Sequence, residues 1–242
     1  MSFKSFYSLI LICLLAGCVS RQLSPFEQSL FTQLQQRVQV IKGIYFSGRL
    51  KVKRAGYGFA GRIEAFWTLK QVRLDIYTTL GWPLFTAIKK NNELTLFNYG
   101  SGQTYRQNQA LKILKSYLPF QLQLEDWVKL FGCQIWYLEK QKTIKQKGQF
   151  YVLFLTDKNG LWQEKIWLER ETLRVTRIVL QNAEGDWLWE VNFTYKDNQP
   201  LSACFKDMLS THIQIDYDQV KLNPQFKTTW FTLPFPTPFH TE

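Results

Sequence analysis

Four cysteines and two histidines are the residues of this chain best suited to nucleophilic or metal chemistry. No spacing among Cys13, Cys18, Cys133, Cys204, His212 and His240 resembles a metal site. His240 sits in a proline-rich tail, and His212 has a strand-like context in which a structural role is expected. "GYGFAG" at 56–61 spells Gly-x-Gly-x-x-Gly, but that motif holds a pyrophosphate only where it opens a helix. Here a segment of period two follows at once, so a turn is the better reading. The serine in "GSG" at 100–102 lacks the Gly-x-Ser-x-Gly spacing of a nucleophile elbow. Glu125-Asp126 falls on an expected helix as a solvated face or first-turn pair, not an acid/base dyad. No catalytic residue, metal or cofactor is expected.

A different thiol chemistry is written into "LICLLAGCVS" at 11–20. One lysine (Lys4), an apolar run from Phe6 to Leu15 and a small-residue exit are the parts of an export signal, too short to span a bilayer. Leu15-Ala16-Gly17-Cys18 resembles the lipobox of bacterial lipoproteins. That resemblance implies diacylglyceryl transfer to the Cys18 thiol, cleavage before it, and acylation of the new amino group. An ordinary signal peptide with an incidental cysteine is the alternative. Each buried methylene contributes about 0.8 kcal/mol, and two anchoring signals already give stable attachment, so three acyl chains would hold the protein at a membrane. Val19 follows the cysteine where an aspartate would retain a Gram-negative lipoprotein at the inner membrane, which implies the periplasmic face of the outer membrane. Cys133 and Cys204 then remain in an oxidising compartment, as a disulfide or as two free thiols.

The organisation expected is a signal peptide over 1–17, a lipidated tether over 18–24 and one domain over 25–242. No later apolar run is long enough for a transmembrane helix. With 9 Trp, 11 Tyr and 19 Phe, aromatics make up 16% of the chain, favouring strands, a lined cavity or a surface that meets lipid. The formal net charge of +11 draws an envelope protein toward lipid phosphates and acidic proteins; nucleic acid is excluded by export.

These residues need a frame. From Pro25, Phe26, Leu30, Phe31, Leu34, Val38 and Ile41 recur at helical spacing, with Ser24 as N-cap, which predicts a helix over 25–41 ending at Gly43. The period then falls to two. "IYFSGRLKVKR", "GRIEAFWTLK" (Ile63, Ala65, Trp67 and Leu69 on one face), "VRLDIYTT" (Val72, Leu74, Ile76), "PLFTAIKK" and "ELTLFNYG" read as five antiparallel strands. Two helices interrupt, one with Leu111, Leu114 and Leu118, the other with Leu124, Trp127, Val128 and Phe131 before Gly132. Five or six strands follow from residue 149, and a last edge strand is expected to fail near Pro234. The fold class is mainly β: a strongly curved antiparallel sheet or incomplete barrel of about 10–11 strands, covered by a helical lid over a cavity.

One connection is anomalous. "TTLGWPLF" at 78–85 places Leu80 and Trp82 around Gly81 between two strands, where polar residues usually stand. The side chains either fold back under the sheet or mark a contact with membrane or protein. With "FSGRL" at 46–50, "AFWTLKQVRLDIYTTLGWPLFTAI" and "LPFQLQLEDWVKLFG", the chain over roughly 43–132 resembles the LolB family of outer-membrane lipoproteins, which take lipoproteins from the LolA carrier and insert them in the outer membrane. The later strands match in pattern alone, as in the broader group sharing the LolA/LolB fold. The resemblance implies an acyl-chain cavity, lined here by Ile63, Trp67, Leu74, Ile76, Leu114, Trp127 and Val128. It also implies a membrane-insertion loop at Leu80, Gly81 and Trp82, with partners in acylated lipoproteins and a LolA-like periplasmic carrier, and a monomeric chain. A sensor or protein-interaction module on the same sheet is the alternative, and it predicts a filled core and a basic patch.

Overall fold

The computed structural model describes residues 24–117, 123–133 and 141–233. The signal segment, Cys18, Leu118, Pro119-Phe120, the end from Pro234 and His240 lie outside the described residues.

Helix α1 (Pro25–Val40) starts where proline and a capping serine place it. The Ser24 hydroxyl accepts from the Glu27 amide at 3.2 Å and the Glu27 carboxylate accepts from the Ser24 amide at 2.8 Å, a reciprocal capping box. Leu30, Phe31 and Leu34 are buried against the sheet. The helix ends one residue before the expected limit because Ile41 is extended and Asn223 serves the end. Asn223 Nδ2 donates to the Val40 carbonyl at 2.9 Å and Oδ1 accepts from the Lys42 amide at 2.6 Å.

The chain then builds β1 (Gly43–Arg54), β2 (Tyr57–Thr68), β3 (Gln71–Thr78), β4 (Pro83–Lys90), β5 (Glu93–Asn98) and β6 (Gln103–Arg106). Helices α2 (Gln107–Tyr117) and α3 (Leu124–Phe131) follow. The second strand series is β7 (Gln141–Lys147), β8 (Phe150–Thr156), β9 (Trp162–Glu169), β10 (Val175–Asn182), β11 (Trp187–Lys196), β12 (Gln199–Asp207) and β13 (His212–Leu222). All thirteen form one antiparallel sheet in the order β6-β5-β4-β3-β2-β1-β13-β12-β11-β10-β9-β8-β7. The chain enters at the centre, meanders to one edge, passes through the two helices to the other edge and returns to pair β13 with β1. The sheet is therefore open, and the helices fall between its edges in chain order.

Thirteen strands exceed the ten or eleven expected, and the two extra ones are the edges β6 and β7. "QTYR" and "QKTIKQK" are short or lysine-rich, which protects an edge from foreign pairing and erases the alternation that marks a strand. Register shifts at Ser47/Gly48, Ile76/Tyr77 and Thr194/Tyr195 are bulges that bend the strands and tighten the curl. At Gly48 any side chain would strike the Asp216 carbonyl of β13, so the bulge requires glycine.

Alternation sends Ile44, Phe46, Ile63, Ala65, Trp67, Val72, Leu74 and Ile76 to the inner face, where α3 packs with Trp127, Val128 and Phe131. Leu69, expected on that face, instead lies exposed in the β2–β3 turn. The outer face has its own cover. Residues 223–233, with a 3-10 turn at Thr228–Phe231, cross β1–β3, and Phe66 packs on Trp230 at 5.2 Å and Phe226 at 6.4 Å. The expected last edge strand is thus an aromatic strap; β13 ends at Leu222.

Candidate functional site

The Leu80 tip is a tight, internally bonded turn. The Gly81 amide donates to the Thr78 carbonyl at 3.0 Å, the Thr78 amide to the Trp82 carbonyl at 2.8 Å, and the Trp82 amide to Thr78 Oγ1 at 3.1 Å. Gly81 has φ +85°, the left-handed geometry that glycine adopts without a Cβ penalty. With its backbone satisfied, the turn presents Leu80 at 84% and Trp82 at 70% exposure. The two side chains do not fold back under the sheet.

The seven residues expected to line a cavity are brought together, but in a packed interior. Ile63, Leu74, Ile76, Leu114, Trp127 and Val128 are all buried in one continuous core. Trp127 meets Phe131 at 4.4 Å between ring centroids and Phe46 at 6.4 Å. Trp67 also borders a largely polar cleft of about 650 Å³ with Lys70, Lys89, Glu125 and Lys129. Lys129 lies over its ring at 4.9 Å. In that wall Glu125 is not a solvated carboxylate: it pairs with Lys89 at 2.5 Å, while burial pushes the neighbouring Asp126 carboxyl upward.

A larger apolar cleft, about 840 Å³, opens beneath α1. Leu34, Val38 and Ile41 form its helical wall; Leu173, Val175 and Tyr195 face them from the sheet side, with Cys133 at the base. Its size falls in the range of small-molecule and lipid sites. Two devices fix its mouth: the Arg37 guanidinium donates to the Thr172 carbonyl at 2.8 Å, and the Tyr195 hydroxyl to the Val175 carbonyl at 2.8 Å. Arg174 stacks over the Tyr195 ring at 4.9 Å and pairs with Glu169 at 2.5 Å, so two arginines, one of them charge-compensated, stand at a polar rim over an apolar floor. Burial pushes the Cys133 thiol up to about 12, which keeps it protonated and unreactive. Such a cleft suits an acyl chain whose polar end stays at the arginines. Val38 and Ile41 carried its signal in the helical spacing; Leu173 and Val175, from a turn and a strand start, carried none.

The strand register sets this cleft and the Leu80 tip at opposite ends of the sheet. Leu222, at the cleft, pairs near Ile44 at the beginning of β1, whereas Thr78 pairs with Gly61 toward the other end of β2.

Two further polar clusters occur among the described residues. Cys133 and Cys204 are both free thiols. Cys204 Sγ lies 2.9 Å from His212 Nε2, but burial raises the thiol, and burial with Lys206 and Lys53 lowers the imidazole, so both partners stay neutral. On the outer face Arg73, Asp75 and Thr86 form a buried network that the apolar period of β3 hid on its opposite side. Among the described residues no group of three or more His, Cys, Asp or Glu could hold a metal ion, and no helix is long and apolar enough to cross a membrane.

No protein-family model matches the chain, and no curated protein matches it. Solved structures do. A DUF1329 family protein from Desulfovibrio piger superposes with a TM-score of 0.59 at 12% identity, covering 85% of this chain and 95% of that one. A LolA superfamily protein from Nitrosomonas europaea gives 0.56 at 14% identity, over 84% and 97% of the two chains. A domain described as an outer membrane lipoprotein-sorting protein, from Vibrio parahaemolyticus, gives 0.55 at 10% identity, over 84% and 94%. At these identities the likeness is one of architecture, and the architecture of this chain is the LolA/LolB-like fold.

Proposed function

We propose that this chain is a lipid-anchored receptor of the bacterial envelope that holds acyl chains in the cleft beneath α1 and passes lipoproteins from a LolA-like periplasmic carrier to the outer membrane. The observation that carries this reading is the apolar cleft of about 840 Å³ with Arg37 and Arg174 at its rim, set in an open curved sheet with helices. Supporting it are the solved neighbours of the LolA superfamily and of lipoprotein sorting. The exposed Leu80–Gly81–Trp82 tip supports a hand-over to lipid, because a rigid apolar turn has no reason to stand in water. Acylated Cys18, with Val19 after it, anchors the chain at the periplasmic face of the outer membrane. The opposed ends then have distinct tasks: the Leu80 end meets the membrane, and the cleft faces the periplasm, where a carrier presents its cargo.

In-cell photo-crosslinking tests this, with the photoreactive residue at Val38 in the cleft and at Leu80 on the tip. Adducts of Val38 with acylated protein or a LolA-like carrier are expected. If Val38 captures neither, and surface positions capture a soluble regulator, the receptor reading is wrong and the fold serves as a sensor.

A further inference from the structure

Leu80 does not stand alone. Following the register from Gly61↔Thr78 through Phe85↔Asn98, Lys53↔His212, Lys206↔His212, Trp189↔Asp207, Gln181↔Trp187 and Thr156↔Gln163 brings the hairpin turns 55–56, 79–82, 99–102, 208–211, 183–186 and 157–161 to one end of the sheet. These turns and the strand residues next to them expose large apolar side chains in pairs: Leu80 and Trp82, Met208 and Leu209, Leu161 and Trp162. Trp187 and Tyr57 stand at the feet of two of the same turns. At the opposite end the turns at Asn91-Asn92, Gly148-Gln149 and Asp197-Asn198 are polar, and Leu69 in the β2–β3 turn is the one exposed large apolar side chain in a hairpin turn there among the described residues.

Several rim turns share a second property. Turns 79–82, 157–161, 183–186 and 208–211 close their own backbone by a side chain at the stem, and all of these but 183–186 carry exposed apolar side chains. Asp157 Oδ1 accepts from the Trp162 amide at 2.9 Å; Asn182 Oδ1 accepts from the Asp186 amide at 2.7 Å. Asp207 Oδ1 accepts from the Leu209 and Thr211 amides at 2.9 and 2.8 Å, and Thr78 does the same for Trp82. Turns that must enter an interfacial region cannot leave amides unsatisfied, and tryptophans at their bases suit the headgroup level.

The described chain begins within reach of the same end. Ser24 is bonded to Glu27, whose Oε1 accepts from the Ile144 amide at 3.5 Å. Ile144 lies three residues from Gln141, which pairs with Thr156 at the rim end, a distance of about 10 Å along the strand. The six residue steps from Ser24 back to Cys18 reach at most about 20 Å, enough to set the acyl anchor level with the rim. Arg54, Lys53 and Lys206 lie exposed beside the turns and complement anionic headgroups.

We infer that the whole rim of hairpin turns at this end, not the Leu80 turn alone, is a docking face for a phospholipid bilayer, with Trp82, Trp162 and Trp187 as its interfacial anchors. This rests on the proposed anchoring at Cys18 and membrane role of Leu80, and is independent of what the cleft binds.

The test uses the full lipidated chain reconstituted in vesicles of phosphatidylethanolamine and phosphatidylglycerol carrying lipids brominated near the headgroup end of the acyl chain, which quench tryptophan on contact. Trp82→Phe, Trp162→Phe and Trp187→Phe are each expected to remove part of the quenching, and the triple variant nearly all of it. Asn92→Trp, at the opposite end, should add none. If Trp82→Phe alone abolishes quenching, only the Leu80 turn enters and the rim inference fails, while the receptor reading stands. No quenching of any of the three overturns both the rim and the membrane role of Leu80, leaving acyl binding to be decided by the Val38 crosslink.

Discussion

The hydroxyl of Tyr217, on β13, donates a hydrogen bond to the carbonyl of Phe131, the last residue of α3. The bond joins the helical lid to the centre of the sheet by capturing one of the carbonyls that a helix end leaves without an intrahelical partner. Phe46 packs edge-on against the Tyr217 ring at 5.9 Å, and burial pushes the phenol far above its ordinary range, so it remains a donor at any accessible pH. Tyr217→Phe keeps the ring and removes the donor. It should cost about 1–3 kcal/mol, the penalty of an unsatisfied buried acceptor. Denaturant unfolding will read the loss, and amide exchange should quicken in α3 before it does in β1. Equal protection of α3 in both proteins would show that the lid is held by packing alone.

On the other side of the sheet, Arg73 grips Asp75 through Nε and Nη2 at 2.6 and 2.9 Å and donates from Nη1 to the Trp230 and Thr232 carbonyls at 2.9 and 3.1 Å. One guanidinium thus joins a buried carboxylate to the strap. Arg73→Ala leaves Asp75 buried with the Thr86 hydroxyl but no counter-charge, an arrangement that typically costs about 3–5 kcal/mol. The strap should also detach, so limited proteolysis is expected to cut within 223–233 in the variant and spare it in the native chain. Loss of stability with an uncut strap would mean that Phe66, Phe226 and Trp230 suffice to hold it.

Much of this frame was legible in residue spacing. The capping serine and Pro25 placed α1, the alternation of Ile63, Ala65 and Trp67 placed β2 face by face, and helical spacing placed Trp127 and Val128 against them. The edges were not legible, because a strand that must refuse partners carries lysines where a buried strand carries valines. Nor was the strap: the run before Pro234 read as a last edge strand, and nothing in its spacing marks the folded outer face that receives Phe226 and Trp230. The exposed tip at Leu80 stood out because leucine and tryptophan violate turn chemistry. Met208-Leu209 and Leu161-Trp162 violate it too, but their common side of the sheet exists only in the register.

Glu64 gives the outer face a pH dependence with a definite sign. Burial first, and repulsion by Asp75 second, raise its carboxyl above the ordinary value of 4.5, outweighing Arg62 and Arg73. Between the ordinary and the raised value the folded state binds more protons than the unfolded one, so this group's contribution to stability falls as pH rises through that window. At neutral pH the ionised form is therefore a net burden. Glu64→Gln should be more stable than the native chain at neutral pH, with the advantage vanishing in acid below the ordinary carboxylate range. An advantage of equal size at both pH values would assign the effect to packing, not to the charge.

Cleft and tip can be separated by one substitution at each end. Val38→Trp projects an indole from the α1 wall into the cleft, and because Val38 is only half-buried the fold should tolerate it at a cost within about 1–3 kcal/mol. It is expected to displace a fluorescent fatty acid or an acylated peptide from the cleft while leaving vesicle association intact. Leu80→Glu is expected to do the reverse: the exposed turn keeps its two backbone hydrogen bonds and the one to the Thr78 hydroxyl, acyl binding persists, and transfer of the bound chain to vesicles fails because a carboxylate resists entry into the interface. The two lesions lie on opposite ends of the sheet and share no contacts, so their effects on stability should add. Transfer, however, needs both ends, and each variant alone should abolish it. If Val38→Trp binds the acyl probe as well as the native chain does, the site lies elsewhere in the half-barrel, and the lid over Trp127 becomes the place to look.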